Sequence, residues 1–300
     1  MSQLTTSQRQ SAIAKSLLSW YGKNARPLPW RETRNPYRIL VSEIMLQQTQ
    51  VSRVLQKYPE FLKRFPNFTS LALARVGDVI RAWSGMGYNN RALRLQRIAQ
   101  RIVDEYGGRL PSDSDTLQSF PGIGRYTANA IACFAFEQQI AVVDTNVRRV
   151  LSRLFPRQVR TMDEWELAEW MLPKRKAFHW NQALMELGAL RCTVNKPSCA
   201  TCPLNRLCKS AFRPKKYSKK PRRIKNPVIP NRIYRGRIVA ALRKVDHNQS
   251  IEANRLLRII QPGHPTLNSI LFSTLIEGLQ RDGLIQIIHR HKKVYISLPT

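Results

Sequence analysis

Hydrophobic positions recur along most of residues 1–210 at the spacing of amphipathic helices rather than of strands. The clearest segment predicts a helix from Asn90 to Tyr106, which Gly107 would end. Its apolar positions are Leu95, Ile98, Ala99, Ile102 and Val103. The fold class expected from this pattern is mostly α.

Other helices are predicted from their capping residues and their composition. Asn35-Pro36 offers an N-cap followed by a proline in the first turn, for a helix through Gln48. Thr127–Phe136 consists almost entirely of small or apolar residues, which predicts a buried helix. Asp144 precedes apolar residues at Val147, Val150, Leu151 and Leu154, which predicts a further capped helix.

The composition changes sharply after residue 212. Residues 213–230 are rich in Lys and Arg without an acid, which predicts a basic linker. Beyond it, the pattern predicts three helices and a two-stranded ribbon: Tyr234–Lys244, Ser250–Ile260, Thr266–Arg281, Leu284–Ile288 and Val294–Leu298, with the turn at His289–Lys293. This is the plan of a winged helix over residues 231–300. The alternative is a small α+β cap that packs only on the body or on a protein partner.

Charge narrows the range of partners. Lys and Arg number 50 against 19 Asp and Glu, a formal net charge of +31. Such an excess favours a polyanion, either nucleic acid or an anionic membrane surface. No apolar run approaches the ~18 residues of a membrane span, and no signal segment is evident. We therefore expect a cytoplasmic, nucleoid-associated protein.

A glycine-bearing turn opens the helix predicted at Thr127. In Phe120–Thr127, Gly122 and Gly124 would let backbone amides approach an anion, beside Arg125 and a helix N-terminus. With helical sequence on both sides, this pattern predicts a helix-hairpin-helix element that binds DNA phosphate.

Two of the scarce acids occupy unusual positions. On the helix from Pro36, Glu43 has Ile39, Leu40 and Leu46 as neighbours on an apolar face, where burial would favour its protonated form. Asp144 is either an N-cap or a presented carboxylate, and backbone N–H groups there favour its ionised form. A neutral acid and an anion could take different catalytic roles, whereas the plainer interpretations are an ion-paired Glu and a capping Asp.

Four of the five cysteines lie within a short segment, which favours a metal site over disulfides. They are Cys192, Cys199, Cys202 and Cys208. Four thiolates can hold either a zinc ion or a four-iron cluster. Zinc sites usually contain two pairs of closely spaced cysteines separated by a longer gap, and these four cysteines are not spaced in that way.

Together these features resemble the helix-hairpin-helix (endonuclease III-like) DNA glycosylases that carry a 4Fe-4S cluster, and among them the MutY-type adenine glycosylases. The resemblance covers residues 10–212. It is carried by the cysteine spacing and by Leu28-Pro29-Trp30-Arg31, Val41–Val51, Gly87-Tyr88, Val143–Val147 and Asn181–Ala189. It implies a two-lobed body, with a cluster lobe of residues 1–30 and 138–212 and a six-helix lobe of residues 31–137.

The resemblance also implies roles for particular residues. Glu43 would protonate adenine and Asp144 would stabilise the sugar cation, as the two carboxyl groups of a glycosidase do. Tyr126 and Asn146 would support them. Arg31 and Glu186 would bind the flipped adenine in a pocket lined by Leu28 and Trp30, while Gln48 and Tyr88 would enter the base stack.

The implied function is a monofunctional glycosylase that removes adenine mispaired with 8-oxoguanine or guanine. Tyr126 stands where lyases of the superfamily have an imine-forming Lys, so at most weak strand cleavage is expected. The partner would be double-stranded DNA with a mispair. The protein would bind it as a monomer and would not associate with a membrane. The alternatives are a thymine/uracil mismatch glycosylase and a non-catalytic, zinc-containing winged-helix DNA-binding protein. The family's usual C-terminal domain resembles a Nudix fold, and this tail does not.

Overall fold

The computed structural model describes residues 5–156, 158–213, 229–247, 249–262 and 266–300. This part of the chain is mostly helical, which confirms the predicted fold class. The helices are α1 (Thr6–Asn24), α2 (Pro36–Leu46), α3 (Val51–Arg64), α4 (Phe68–Ala72), α5 (Val76–Ala82), α6 (Asn90–Tyr106), α7 (Ser114–Gln118), α8 (Arg125–Phe136), α9 (Thr145–Leu154), α10 (Glu164–Met171), α11 (Ala177–Leu190), α12 (Asn231–Leu242), α13 (Ala253–Ile260) and α14 (Ser269–Arg281). Single 3-10 turns lie at Pro29–Arg31, Gln158–Arg160 and Cys199–Thr201.

The described residues divide into two compact units. The first unit takes its residues from 5–39, 112–119 and 123–213. Its core is formed by apolar faces of α1, α9, α10 and α11, with Leu17, Val147 and Leu184 fully buried. α1 begins with a capping box, in which Thr5 and Gln8 satisfy each other's backbone N–H groups.

The second unit contains residues 40–111 and 120–122 together with the described residues of 229–300. Ile80 of α5 and Leu93 of α6 are buried in the same cluster as Ile238, Leu275 and the other apolar residues of the C-terminal segment. The backbone N–H of Gly77 donates to the carbonyl of Pro299 at 2.9 Å. A Cβ at Gly77 would lie 2.5 Å from that oxygen, so this approach requires glycine. The C-terminal segment therefore shares a hydrophobic core with α5 and α6.

Two predicted helices illustrate what the local pattern determines. α6 has the predicted limits, and Gly107 follows it in the left-handed conformation with φ 57°. α2 starts at the predicted cap, where the side chain of Asn35 accepts from the N–H of Arg38 at 3.1 Å. It ends at Leu46 rather than at Gln48, because Gln48 adopts φ 53° and leaves the helix.

The C-terminal segment corrects the prediction of a two-stranded ribbon. Three antiparallel strands pair in the order β1-β3-β2, at β1 (Ile251–Glu252), β2 (Gln286–Arg290) and β3 (Lys293–Ser297). The residues predicted to begin the second helix form β1 instead, and α13 begins at Ala253. The predicted five-residue turn is also too long, because His291 and Lys292 both have positive φ and close a two-residue hairpin.

Of the predicted linker 213–230, residues 214–228 lie outside the described residues. The division of the chain at that linker stays a prediction. Among the described residues, no helix is long and apolar enough to cross a membrane.

Candidate active site

The predicted general acid lies in the middle of α2. Glu43 is only 6% exposed, and Ile39 and Leu40 on the same helix are fully buried. The position of this carboxyl on an apolar helix face therefore agrees with the sequence pattern. Glu43 belongs to the second unit.

Asp144 lies in the first unit, where it is the N-cap of α9. Its Oδ1 accepts from the backbone N–H of Val147 at 2.7 Å, and its Oδ2 accepts from Nδ2 of Asn146 at 2.7 Å. The capping interpretation is thus correct, and two donors hold the half-buried carboxylate in one orientation. Tyr126, half-buried in the first turn of α8, belongs to the same unit.

A hydrogen-bond network connects Asn146 to the cysteine segment. Arg149 donates to Oδ1 of Asn146 at 2.7 Å, to the carbonyl of Gly188 at 2.8 Å and to the carbonyl of Cys192 at 2.7 Å. A Cβ at Gly188 would lie 2.5 Å from Cβ of Asn146, so α11 approaches α9 closely there. The sequence reasoning missed Arg149, although its position three residues after Asn146 on a predicted helix places the two side chains on one face.

The predicted base-binding pair forms a buried ion-pair network. Glu186 on α11 is fully buried, and its Oε2 accepts from Arg31 at 2.8 Å. Arg26, which the sequence reasoning missed, donates to Oε1 of the same carboxylate at 2.7 Å from Nε and to Oε2 at 2.8 Å from a terminal nitrogen. Burial by itself would raise the pKa of Glu186, but the hydrogen bonds from Arg26 and Arg31 lower it to about 2. Glu186 therefore orients Arg31.

The two predicted pocket-lining residues stand beside Arg31. Leu28 and Trp30 are 4% and 7% exposed, and the N–H of Arg31 donates to the carbonyl of Leu28 at 2.8 Å through the 3-10 turn. The structure thus brings Leu28, Trp30, Arg31 and Glu186 into one part of the first unit.

The two residues predicted to enter the base stack, Gln48 and Tyr88, lie in exposed loops of the second unit; we call them the wedge residues and their loops the wedge loops. Gln48 follows α2 with φ 53°, and Tyr88 precedes α6 with φ 44° and a side chain 53% exposed. Left-handed conformations are uncommon for residues other than glycine, and they concentrate at functional sites. Both candidates therefore occupy strained, solvent-facing backbone positions.

One buried guanidinium, that of Arg91, holds both loops. It donates to the carbonyls of Met45 and Gln47 in the first loop, at 2.9 and 2.6 Å, and to those of Met86 and Gly87 in the second, at 3.1 and 3.3 Å. It also contacts the carbonyl of Ile44 and the hydroxyl of Thr49. Burial lowers the pKa of Arg91 to about 10. The sequence reasoning missed this residue, although a basic residue in the first turn of a helix opposes the helix dipole and is a usable signal.

The predicted DNA-binding hairpin has the expected local geometry. Gly122 has φ 79°, and Gly124 is the N-cap of α8. Both glycines and Arg125 are exposed, and the Arg125 guanidinium lies 4.2 Å from the centre of the Trp165 ring. These three residues of the turn therefore lie at the protein surface.

The four clustered cysteines line one small cavity of about 30 Å³. All four thiols are free, and a guanidinium nitrogen of Arg153 lies 3.3 Å from Sγ of Cys192. Burial raises the pKa of Cys202 to about 11 and also raises that of Cys208, with the neighbouring thiols contributing. Within the described residues, no three His, Cys, Asp or Glu side chains are arranged to hold a single metal ion. Four thiols around one cavity are the donor set that zinc and iron–sulfur clusters take.

Comparison with known proteins identifies this fold. Residues 41–171 match the family model described as "HhH-GPD superfamily base excision DNA repair protein". A thymine/uracil-DNA glycosylase of Methanothermobacter thermautotrophicus is 32% identical over 68% of this chain and 95% of its own length. The solved structure of a thermostable thymine-DNA glycosylase superposes with a TM-score of 0.65 and 31% identity, over 68% of this chain and 97% of the other.

The solved structure of a non-covalent endonuclease III-DNA complex also superposes, with a TM-score of 0.60 and 25% identity over 70% of this chain and 97% of the other, so the fold is of the endonuclease III type. The chain belongs to the HhH-GPD superfamily of base excision DNA repair proteins. Higher identity, 42% over 215 residues, is found with an adenine DNA glycosylase of Mus musculus, covering 67% of this chain and 42% of the mouse protein. The matched region thus spans less than half the length of that relative.

Proposed function

We propose that this protein is a monofunctional adenine DNA glycosylase that acts on double-stranded DNA, opposite 8-oxoguanine or guanine. The observation that carries this proposal is the 42% identity to an adenine DNA glycosylase over two thirds of the chain. The buried Glu43 and the oriented Asp144 support it, because glycoside hydrolysis uses one protonated and one ionised carboxyl group.

In the proposed reaction, Glu43 donates a proton to the adenine and the bond between the base and C1′ breaks. Asp144 stabilises the cationic sugar, and Asn146 and Val147 keep its carboxylate directed through their N–H donors. Water then adds to C1′ and loses a proton to Glu43, so a free base and an abasic site are formed. Tyr126 supports these groups and has no amine for an imine, so the strand remains intact.

Base binding would involve the Arg31 network. Both oxygens of Glu186 are engaged by Arg26 and Arg31, so Glu186 would act on the base by fixing the direction of Arg31. Trp30 and Leu28 would line the pocket. Gln48 and Tyr88 would fill the space that the flipped adenine leaves, since the base cannot be attacked inside the stack.

Gly122, Gly124 and Arg125 would bind the DNA backbone at the hairpin. Phosphate neutralisation releases counterions, so binding would weaken steeply with salt concentration. A chain with a net charge of +31 suits this mode of binding. We further propose that the protein binds DNA as a monomer in the cytoplasm, at the nucleoid.

Cys192, Cys199, Cys202 and Cys208 would hold a 4Fe-4S cluster. When bound, the cluster would cross-link residues 192–208 and supply no catalytic step. Arg149 and Arg153, which hold the carbonyl of Cys192, would support the segment from the protein side. Iron and sulfide analysis of the purified protein tests this assignment, and zinc without iron would contradict it.

Duplexes that each carry one A:8-oxoguanine, A:G, T:G or U:G pair test the activity, with alkali used to reveal abasic sites. We expect cleavage at adenine only. Glu43→Gln and Asp144→Asn should each reduce the single-turnover rate by at least a hundredfold, whereas Glu60→Gln, an exposed acid on α3, should not. Wild-type activity of Glu43→Gln would refute the proposed acid.

A thymine/uracil mismatch glycosylase is the second candidate. It is favoured by the match to a thymine/uracil-DNA glycosylase over 95% of that protein's length, although at a lower identity of 32%. Release of thymine or uracil from the T:G or U:G duplex, with adenine retained, would select this function instead.

A further inference from the structure

Asp144 follows a short segment, residues 140–143, that belongs to neither a helix nor a strand. Ala141, Val142 and Val143 in this segment are buried. Buried backbone N–H and C=O groups need hydrogen-bond partners, and the segment is not part of the sheet formed by β1, β2 and β3. Other groups must therefore satisfy its backbone.

The side chain of Asn181 on α11 binds this segment at two points. Its Nδ2 donates to the carbonyl of Ile140 at 2.9 Å, and its Oδ1 accepts from the N–H of Val142 at 2.9 Å. Nδ2 also donates to the carbonyl of Ala177 on its own helix at 2.9 Å. Asn181 is 1% exposed, so these three hydrogen bonds hold a buried amide in one orientation.

Two further side chains bind the residue between these points. Asn129 of α8 is 4% exposed and donates from Nδ2 to the carbonyl of Ala141 at 2.9 Å, while its Oδ1 accepts from the hydroxyl of Ser114 at 2.7 Å. Glu169 of α10 accepts from the N–H of Ala141 at 2.7 Å. Four consecutive backbone groups, from the carbonyl of residue 140 to the N–H of residue 142, are thus bound by side chains of three helices.

The two asparagines lie on helices that carry other candidate site residues. Asn129 is three residues after Tyr126 on α8, and Asn181 is five residues before Glu186 on α11. Their hydrogen bonds therefore attach the segment that ends at Asp144 to both helices. The backbone position of Asp144 is set relative to both helices, which neither the capping pattern nor the sequence motifs had assigned to a residue.

We propose that Asn181 and Asn129 are positioning residues for the carboxylate of Asp144. This rests on the proposed function, in which that carboxylate stabilises the sugar cation. The hydrogen bonds from Val147 and Asn146 fix the rotation of the Asp144 side chain, and the two asparagines fix the backbone from which it projects. Electrostatic stabilisation of a transition state requires a charge that is placed before the reaction, so both sets of hydrogen bonds are needed.

Asn181→Ala in the full chain, purified with its cluster, tests this assignment. We expect the single-turnover rate constant of adenine excision to fall about 30-fold, because a displacement of about 1 Å can cost roughly a hundredfold. The Kd for a duplex with uncleavable 2′-fluoro-2′-deoxyadenosine opposite 8-oxoguanine should stay within about twofold of the wild type, since contacts made before the reaction are unchanged. An equal loss of rate and affinity would overturn the proposal.

Asn129→Ala is a milder variant that keeps the proposal testable if Asn181→Ala does not fold. It removes one hydrogen bond to the segment instead of two, and we expect the rate constant to fall about fivefold. The amplitude of the single-turnover reaction reports the folded fraction, so the rate constant refers to folded molecules only. An unchanged rate constant in the variants that fold would overturn the proposal.

A double-variant cycle identifies the group through which Asn181 acts. In the Asp144→Asn background, Asn181→Ala should change the residual rate constant by less than about twofold, because the carboxylate that it positions is already absent. A further loss of about 30-fold in that background would show that Asn181 acts on another group, which contradicts the assignment.

Gln96→Ala is the matched control. Gln96 on α6 is 2% exposed, and its Nε2 donates to the carbonyls of Leu71 and Ala74 at 3.3 and 2.6 Å, so it is also a buried amide bound to backbone. Urea unfolding should show that Gln96→Ala and Asn181→Ala both lose stability, whereas the rate constant of Gln96→Ala should equal that of the wild type. Equal losses of rate would mean that the rate follows stability, and the proposal would fail.

These experiments separate this inference from the proposed function. If the wild type releases thymine or uracil instead of adenine, the proposed function fails, and the same variants are compared on the duplex that is cleaved. If the wild type excises adenine and Asn181→Ala does so at an undiminished rate, only the assignment of the asparagines fails.

Discussion

Two guanidinium groups, those of Arg31 and Arg91, are removed from solvent in different ways. Arg31 in the first unit faces the buried carboxylate of Glu186, with Arg26 as a second cation. Arg91 in the second unit is 5% exposed and faces backbone carbonyls and one hydroxyl. One site is compensated by an opposite charge. The other is compensated by backbone dipoles, one hydroxyl and the rings of Trp83 and Tyr88, whose centres lie 5.4 and 5.7 Å from the guanidinium carbon.

The pKa values of the two sites reflect this difference in surroundings. The paired carboxylate has its pKa lowered to about 2, because ionised Glu186 is hydrogen-bonded by cations. Burial lowers the pKa of Arg91 to about 10, because carbonyl dipoles replace water less completely. Ion pairing with Glu186 therefore orients the side chain of Arg31. The hydrogen bonds from Arg91 to backbone carbonyls hold the two loops that contain those carbonyls.

The largest effect is expected from Arg91→Met. It leaves the carbonyls of both wedge loops without their shared donor, which we expect to lower the free energy of unfolding by about 4 kcal/mol. Urea unfolding measures the change. Arg97→Met, at an exposed position of the same helix, should change stability by less than about 0.5 kcal/mol. Equal stability of the two variants would show that the hydrogen bonds from Arg91 to these carbonyls do not stabilise the protein.

Glu186→Gln tests the compensated site. Arg31, whose side chain is 12% exposed, then lies beside a neutral amide. We expect a loss of about 3 kcal/mol, smaller than for Arg91 because Arg26 can turn toward water. Glu137→Gln breaks the exposed pair with Arg34 and should cost at most about 0.5 kcal/mol. A similar cost for both variants would indicate that burial adds nothing to the Glu186 network.

The pH dependence sharpens the same comparison. The pKa of Glu186 is about 2 in the folded chain, against an ordinary value of 4.5. Because the unfolded carboxyl takes up its proton first, the stabilisation is complete above pH 4.5 and declines as the pH falls toward 2. The stability gap between wild type and Glu186→Gln should narrow over this range in urea titrations. A gap that is constant with pH would contradict the lowered pKa.

Of the three sites tested apart from the control variants, Arg243 in the C-terminal segment should show the smallest effect when it is replaced by Met. Arg243 also has a pKa lowered to about 10 by burial, but among the described residues it donates to two groups, the carbonyl of Ile80 and Oδ1 of Asn89. We expect a loss of about 1.5 kcal/mol. If this loss equalled that of Arg91→Met, the number of carbonyl acceptors would not determine the cost.

The helices were largely predictable, because their signals are local. Periodic apolar residues and Gly107 define α6, and Asp144 begins α9 where the capping pattern places it. β1 was not predictable, because two residues become a strand only by pairing with β3, as Ile251 does with Ile296. The early end of α2 depends likewise on Gln48 leaving the helix next to carbonyls that Arg91 binds.

The candidate site was predictable for the rare residue types and missed for the common ones. Glu43 and Asp144 are conspicuous because acids are scarce, and the cysteines because four lie together. Arg26, Arg91 and Arg149 were missed because the chain contains 50 basic residues, and residue type does not distinguish a buried arginine from an exposed one.

The sequence alone determined the helical periodicity, the capping residues and the acids placed against apolar faces, since these depend on neighbours a few positions away. Only the tertiary structure decided which arginines are buried and which loops Arg91 connects. It also decided that α12 lies beside Tyr88. Desolvation is set by groups that are distant in the chain and meet only when it folds. The chemistry of the basic residues was therefore decided by packing.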